Sequence, residues 1–381
     1  MSKVLFLQIK GNSLGGVWFV DETLGNEFLK RGYDVEVLAL RNNHPGVDLN
    51  TKIKINVINE KDNWEITHRR DVVKAIKSFK FFRTLCSYIK DNLKLKKDYN
   101  KMKKEISNYN PDYIISTHYQ VLYGIPKKYL KRVIQVQHTS FEYLLADKKN
   151  VKTFKKYSNK IHKLSFLSKS LYEKSINYGF DNCNYIYNPV RIKSSSKANV
   201  IDNKKISVVT RIHKEKRIDL MIELVNDVFN DLNNKDWVFE IYGIGEFNSK
   251  SNEIFKNNKN IVYKGKTDNP KDVLMSSSIT LNTSIYEGFP LSILEAYACG
   301  IPSISFNFGD AAKEIVIDGY NGYLLEQDDL DGFKEKLKYL IENKKELEKM
   351  SLNAKEFSKT FEVEKIVDIW EEEFKKIDKS D

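Results

Sequence analysis

The chain is short of cysteine. Three occur in 381 residues, Cys86, Cys183 and Cys299, far apart and never as a CxxC pair. That spacing argues against a disulfide framework and against a zinc site, and it fits a reducing cytoplasm. A long apolar run is also missing. The longest weakly charged stretch, 288–309, is divided by Pro290, Gly300 and Pro302 and carries Glu295 inside it. It therefore reads as a short helix followed by a strand, not as a membrane span. The first apolar run, "KVLFLQI", breaks at Lys10 and is followed by no small-residue cleavage site, so it reads as a strand and not as a signal peptide. With 7 Pro and 17 Gly, and with no short-period repeat or low-complexity tract, the chain is neither collagenous nor globally disordered.

What is present suits two domains of ordinary size, with 41 % hydrophobic residues and 21 Phe and 21 Tyr to fill their cores. The net charge of +11 admits nucleic acid, an anionic membrane or an anionic substrate, or simply a lysine-rich surface, and charge alone does not choose. No RNP pattern, zinc finger or clear helix-turn-helix accompanies it, which argues against a nucleic-acid partner.

Strand-like runs at 3–9, 34–40, 54–59, 113–117 and 132–138 alternate with helical patterns, one from Trp18 to Leu29 and one across 70–98. The latter has Leu85, Ile89 and Leu93 among its apolar positions. After the polar, Ser/Lys-rich stretch that begins at Arg191, the alternation restarts, with strands at 206–210, 237–243, 260–265, 278–284, 302–308 and 322–325. Helices fall at 217–230 and 290–299, and a last one at 361–376. Strands alternating with helices imply parallel sheets covered on both faces. Two such halves imply two α/β domains facing a cleft.

The stretch "YEGFPLSILEAYACGIP" (286–302) carries the sharpest chemical signal. Pro290 suits a first helical position and Gly300 the residue past the end. The helix start lies at the C-terminal edge of the preceding strand, where open α/β sheets bind ligands. There the amides of Leu291 and Ser292 would meet a phosphate. Glu295 shares their face one turn deeper, among apolar neighbours. A buried carboxylate needs a partner, either an arginine or the two hydroxyl donors of a nucleotide ribose. Glu287, in the loop before the helix, can reach a group beyond the phosphate. Upstream, "TRIHKEKRID" places Arg211 and Lys216 in a strand-end turn, a cationic seat for a pyrophosphate. A metal-binding Asp-x-Asp at 329–331 reads instead as a helix start capped by Asp331.

These segments resemble the E-x7-E signature (Glu287, Glu295) of the retaining glycosyltransferases of family 4, which have the GT-B fold. Arg211 and Lys216 fall in the segment resembling the family's phosphate-binding turn, and "IYGIGE" resembles its Gly-x-Gly loop, with Gly243. "EIVIDGYNGYLL" is similar to the family's downstream turn, "NSLGGVW" to its Gly-Gly loop, with Gly15 and Gly16, and "VQHTSFE" to its histidine segment, with His138. "FLSKS" (166–170) and "YNPV" (187–190) fall where the family has its hinge-side motifs.

The resemblance implies a GT-B chain of two Rossmann-like domains, 1–190 for the acceptor and 191–360 for the nucleotide sugar. A C-terminal helix, 361–381, would return to the first domain. It also implies a hexosyltransferase that works without a metal. Glu295 would hold the ribose and Glu287 the donor sugar, while Arg211 and Lys216 neutralise the leaving diphosphate. Leu291, Ser292, Gly15 and Gly16 would bind phosphate through backbone amides, and His138 would face the sugar. By analogy the donor is a UDP-sugar and the acceptor a glycan, polymer or lipid-linked hydroxyl of cell-surface synthesis. The segment after Gly16, Val17-Trp18-Phe19-Val20, is bulkier than the family pattern, so Trp18 either shapes the acceptor site or packs the core. Segment 74–104 holds eleven Lys or Arg against two Asp, so a cytoplasmic enzyme peripheral to an anionic membrane is one expectation and a solvated helix face the other. An epimerase or phosphorylase of the same fold, and a non-catalytic partner that binds glycan or nucleic acid, are the competing readings.

Overall fold

The computed structural model describes residues 1–11, 15–42, 51–59, 81–146, 148–233 and 236–379. Its first lobe is built on seven parallel strands. In chain order they are β1 (Lys3–Gly11), β2 (Asp34–Asn42), β3 (Lys54–Val57), β4 (Tyr113–Ser116), β5 (Val133–Gln137), β6 (Lys163–Phe166) and β7 (Cys183–Tyr185). Their order across the sheet is β3-β2-β1-β4-β5-β6-β7. Val4, Leu5, Phe6 and Leu7 are all buried, as a strand covered on both faces requires. Strand order reverses between β1 and β4, so the crevice of this lobe opens beside the loop that follows β1.

The second lobe carries β8 (Lys205–Val209), β9 (Val238–Tyr242), β10 (Ile261–Gly265), β11 (Thr280–Asn282), β12 (Ser303–Phe306) and β13 (Gly322–Leu325). Two parallel three-stranded sheets, β10-β9-β8 and β11-β12-β13, are joined through the parallel bridge Ile206–Ile279. The Ser207 amide donates to the Ile279 carbonyl at 3.0 Å across that join. The switch point here lies between β8 and β11, beside the loops that hold Lys216 and Glu287. This is the GT-B architecture of two Rossmann-like lobes.

The last helix, Val363–Asp378, leaves the second lobe and packs on the Gly16–Lys30 helix of the first. Phe374 lies against Phe28 (centroids 5.4 Å apart) and flat on Tyr113 (4.0 Å). The Arg31 guanidinium donates to Asp368 (2.7 Å) and Glu371 (2.9 Å), and the Tyr113 hydroxyl to Asp378 (2.9 Å). Most of the stabilisation comes from the aromatic stack, because surface ion pairs contribute little. Phe374→Ala should therefore cost about 3–5 kcal/mol, seen as a lowered melting temperature in calorimetry. A change within error would show that the helix contributes little to the fold.

A second tie between the lobes involves Glu314, on the short Ala312–Ile315 helix. Its carboxylate accepts from the amides of Lys169 (3.0 Å) and Ser170 (2.6 Å), at the start of the Lys169–Asn177 helix of the first lobe. It also accepts from the Tyr187 hydroxyl (2.9 Å). An anion at a helix N-terminus is favourable on both hydrogen-bonding and dipole grounds. Lys174, further along that helix, donates to Asp310 at 2.9 Å.

The basic helix, Trp18 and the 329–331 helix start each take a definite form. Ile89 and Leu93 are not on a buried stripe; they are 51 % and 65 % exposed on the Phe81–Tyr109 helix, which anchors itself through Met102 and Ile106. Residues 74–80 of the basic segment lie outside the described residues. Trp18 is 1 % exposed and belongs to the core. The 329–331 helix start is capped by Asp329, which accepts from the Gly332 amide, while Asp331 is solvent-exposed in the first turn. The aspartate two residues earlier has the non-helical backbone that a cap requires.

Candidate functional site

The helix foreseen at 290–299 spans Leu291–Ala298. Pro290 is its cap, not its first residue, and offers no side-chain acceptor, so the amides of Leu291 and Ser292 stay free of capping. At the other end Gly300 adopts φ +75° and closes the helix. The loop leading in is tied from several sides. The Ile285 amide donates to the Glu215 carbonyl (2.9 Å) and the Glu287 amide to the Phe308 carbonyl (3.1 Å). The Gln327 amide group donates to the carbonyls of Ser284 and Asn307 (both 2.9 Å).

Lys216 and Glu287 meet in this loop. The ammonium donates to Glu287 Oε1, which also accepts from the Ser284 hydroxyl at 2.8 Å. Lys216 ends the short Lys214–Lys216 turn, and its carbonyl accepts from the Thr283 hydroxyl at 2.7 Å. Lys216, Ser284, Asn282, Thr210 and Ser292 line one small cavity at the sheet edge. Arg211 does not line it. Its side chain is 69 % exposed and donates to Glu215 at 3.2 Å. Of the cationic turn, Lys216 is the side chain that reaches the helix start, while Arg217 turns away to Gln327 and Asp328.

Gly243 adopts φ +153°, and a Cβ there would lie 1.8 Å from the Thr210 carbonyl oxygen. The Gly-x-Gly loop is thus glycine because it presses on the backbone of the turn that carries Arg211 and Lys216.

The first lobe comes close at two points. Gly15 caps the Gly16–Lys30 helix, and a Cβ at Gly16 would sit 3.7 Å from Leu291 Cδ1. Two helix starts, one from each lobe, therefore face each other. At Gly288 a Cβ would lie 2.1 Å from the His138 carbonyl oxygen, so the histidine segment and the Glu287 loop touch backbone to backbone. His138 Nε2 is buried and has no hydrogen-bond partner. Burial lowers the imidazole pKa to about 4, so it is neutral at physiological pH.

Glu295 is 7 % exposed, and its Oε1 accepts from Arg191 Nε at 3.0 Å. Arg191 was missed in the sequence, where it reads as the first residue of a solvated linker. Its guanidinium lies 4.3 Å from the centroid of the Phe19 ring, on the first-lobe helix. The one signal that could have found it was the need of a buried Glu295 for a cation.

Residues 191–357 match the family model described as glycosyl transferases, group 1. The chain is 25 % identical to an uncharacterized glycosyltransferase of Haemophilus influenzae over 97 % of its own length and 99 % of the relative's. It is 29 % identical to a poly(ribitol-phosphate) alpha-N-acetylglucosaminyltransferase of Staphylococcus aureus, over 55 % of this chain and 43 % of that one. A crystal structure of an S. aureus TarM variant with fondaparinux, alpha-GlcNAc-glycerol and UDP superposes with a TM-score of 0.75, at 16 % identity, over 98 % of this chain and 100 % of that one. The chain is accordingly a GT-B protein whose second lobe matches the group 1 glycosyltransferases.

Proposed function

We propose that this chain is a retaining, metal-independent glycosyltransferase that moves a sugar from a UDP-sugar to an acceptor hydroxyl. The observation that carries the reading is the meeting of Lys216, Glu287 and the uncapped start of the Leu291–Ala298 helix in one cleft, with Gly16 opposite. The demand of the reaction is charge on the departing diphosphate. A fixed ammonium and aimed backbone amides meet that charge without rearranging, and so act most strongly in the transition state. Glu287, held by Lys216 and Ser284, would orient the donor sugar's hydroxyls. His138 Nε2, neutral and unpartnered beside that loop, would receive a sugar hydroxyl; leaving it unmatched costs about 1–3 kcal/mol. Arg211 would have to swing in from Glu215 to reach a phosphate.

The relatives named for polyol-phosphate glycosylation support an acceptor in cell-surface polymer or teichoic-acid synthesis. Among the described residues no helix is long and apolar enough to cross a membrane. The Phe81–Tyr109 helix turns Ile89 and Leu93 outward beside the exposed Lys90, Lys96 and Lys97, which supports contact with an anionic membrane face. Sedimentation with liposomes tests that part, and equal binding to neutral vesicles would remove it.

A thermal-shift panel of UDP, GDP, ADP and their sugars, followed by product masses with candidate acceptors, tests the main reading. No shift with any nucleotide, or an epimerised sugar without acceptor, would overturn it. Within it, Glu295→Ala should weaken UDP binding about tenfold or more, the worth of a charge-assisted hydrogen bond. Glu287→Ala should leave UDP affinity nearly intact and slow transfer. Calorimetric titration and initial rates separate the two, and unchanged UDP affinity in the first variant counts against the ribose assignment.

A further inference from the structure

Arg191 stands where the chain passes from one lobe to the other, and its side chain contacts both. Nε donates to Glu295 Oε1 at 3.0 Å in the second lobe. The guanidinium lies over the Phe19 ring, 4.3 Å from its centroid, in the first. Glu22, one turn along from Phe19, lies within electrostatic reach of the same cation. Among the described residues Arg191 is the one hydrogen-bond donor to Glu295, although Glu295 is buried. Both contacts fall one turn behind a helix start, and those two starts, Gly16 and Leu291, face each other across the cleft.

We infer that Arg191 is a positioning residue: it holds the Glu295 carboxylate in place for the ribose hydroxyls and fastens that subsite to the first lobe through Phe19. The inference rests on the nucleotide reading above. Only arginine suits both tasks. Its Nε bonds sideways to a carboxylate while the guanidinium plane lies on an aromatic face, whereas a lysine ammonium is a point charge that can do one or the other.

The arrangement also governs the ionisation of Glu295. Burial raises the carboxyl above its ordinary range, and the Arg191 charge and hydrogen bond oppose that rise. The other groups around this helix are less direct. Glu22 faces Arg191 from the Gly16–Lys30 helix, and Cys299 lies just past the helix end. Lys271 and Lys355 approach Cys299 from the Pro270–Met275 and Lys344–Ser358 helices, and the Lys355 ammonium is taken up by the carbonyls of Ser194 and Ala298. Without Arg191 the carboxyl titrates at higher pH. A protonated carboxyl cannot accept from both ribose hydroxyls, so binding weakens as pH falls, and the loss begins nearer neutrality in the variant.

The test is calorimetric titration of UDP and of 2′,3′-dideoxy-UDP into wild type, Arg191→Gln and Arg191→Lys, from about pH 6 to 8.5, a window set above the ordinary carboxyl range. UDP affinity should fall about tenfold in Arg191→Gln at the top of that range, and further as pH drops. Arg191→Lys should bring the pH profile back toward that of wild type but restore only part of the affinity. Dideoxy-UDP should bind weakly and alike to all three. If wild type prefers UDP over its dideoxy analogue while both variants match it at every pH, the inference is overturned and the nucleotide reading stands. If wild type binds neither UDP, GDP nor ADP, both fall. Should Arg191→Gln fail to fold, Arg191→Lys decides alone, and wild-type affinity in it would overturn the inference.

Discussion

Replacing Lys216 by alanine is expected to lower sugar transfer by about 10²–10³-fold, the usual cost of removing one preorganised group that stabilises transition-state charge. The size of the effect follows from how firmly the lysine is held. Its carbonyl is tied to Thr283, its ammonium to Glu287, and both partners of that ion pair are only 15 % exposed at the side chain. Truncation removes the cation in the cavity and also strips Glu287 of its charged partner, leaving the Ser284 hydroxyl. Two functions are therefore lost together, which makes this the most damaging single change in the cleft. Lys216→Arg should recover little, since the planar fork needs more room than the small space between Thr210, Asn282 and Ser292 gives. Turnover at saturating donor, set against an unchanged melting temperature, is the measurement. A loss under tenfold would shift the task of charge neutralisation to Arg211 or to the helix start.

The second large effect is expected at Gly288. An added Cβ would lie 2.1 Å from the His138 carbonyl oxygen, 2.9 Å from its carbon and 3.3 Å from Thr139 Cα. All three are backbone atoms, so no side chain can swing aside, and either the Glu287 loop or the β5 end must move. Gly288→Ala should separate His138 from Glu287 and cut transfer about 10²-fold, the scale of misplacing reacting groups by an ångström. Affinity for UDP should change much less, because Lys216 and the helix start belong to the second lobe alone. Gly16→Ala is the matched control. Its Cβ meets only Leu291 Cδ1 at 3.7 Å, an ordinary contact, and the substitution keeps the Gly16 amide, so the loss of transfer should be much smaller than in Gly288→Ala. Equal losses in the two variants would show that proximity at Gly288 is not what matters.

Much of the architecture was legible because parallel strands buried on both faces leave continuous apolar runs such as "VLFL" and "YIIS". The strands β6 and β7, "KLSF" and "CNY", lack the continuous apolar run that marks the equally short β4, and went unrecognised as strands. The second-lobe site was legible because Pro290 and Gly300 bracket a helix with its carboxylate at a fixed offset. Side-chain direction was not. Arg211 and Lys216 look alike in a cationic turn, yet the chain turns one to solvent and the other onto Glu287. Ile89 and Leu93 keep helical spacing but lie outside the face that Met102 and Ile106 commit to the core. Arg191 could not be told from its lysine and serine neighbours, because its partners, Glu295 and Phe19, lie about a hundred residues ahead in one case and far behind in the other.

The docking of Val363–Asp378 against Phe28 and Tyr113 has a consequence for synthesis. On the ribosome, residues 191–358 emerge before the segment that covers those two rings. The lobe translated first therefore waits with an uncovered aromatic surface, while the lobe translated second can complete its own core. A stall or truncation before residue 363 would release a chain with that greasy seam open, a target for chaperones and proteases.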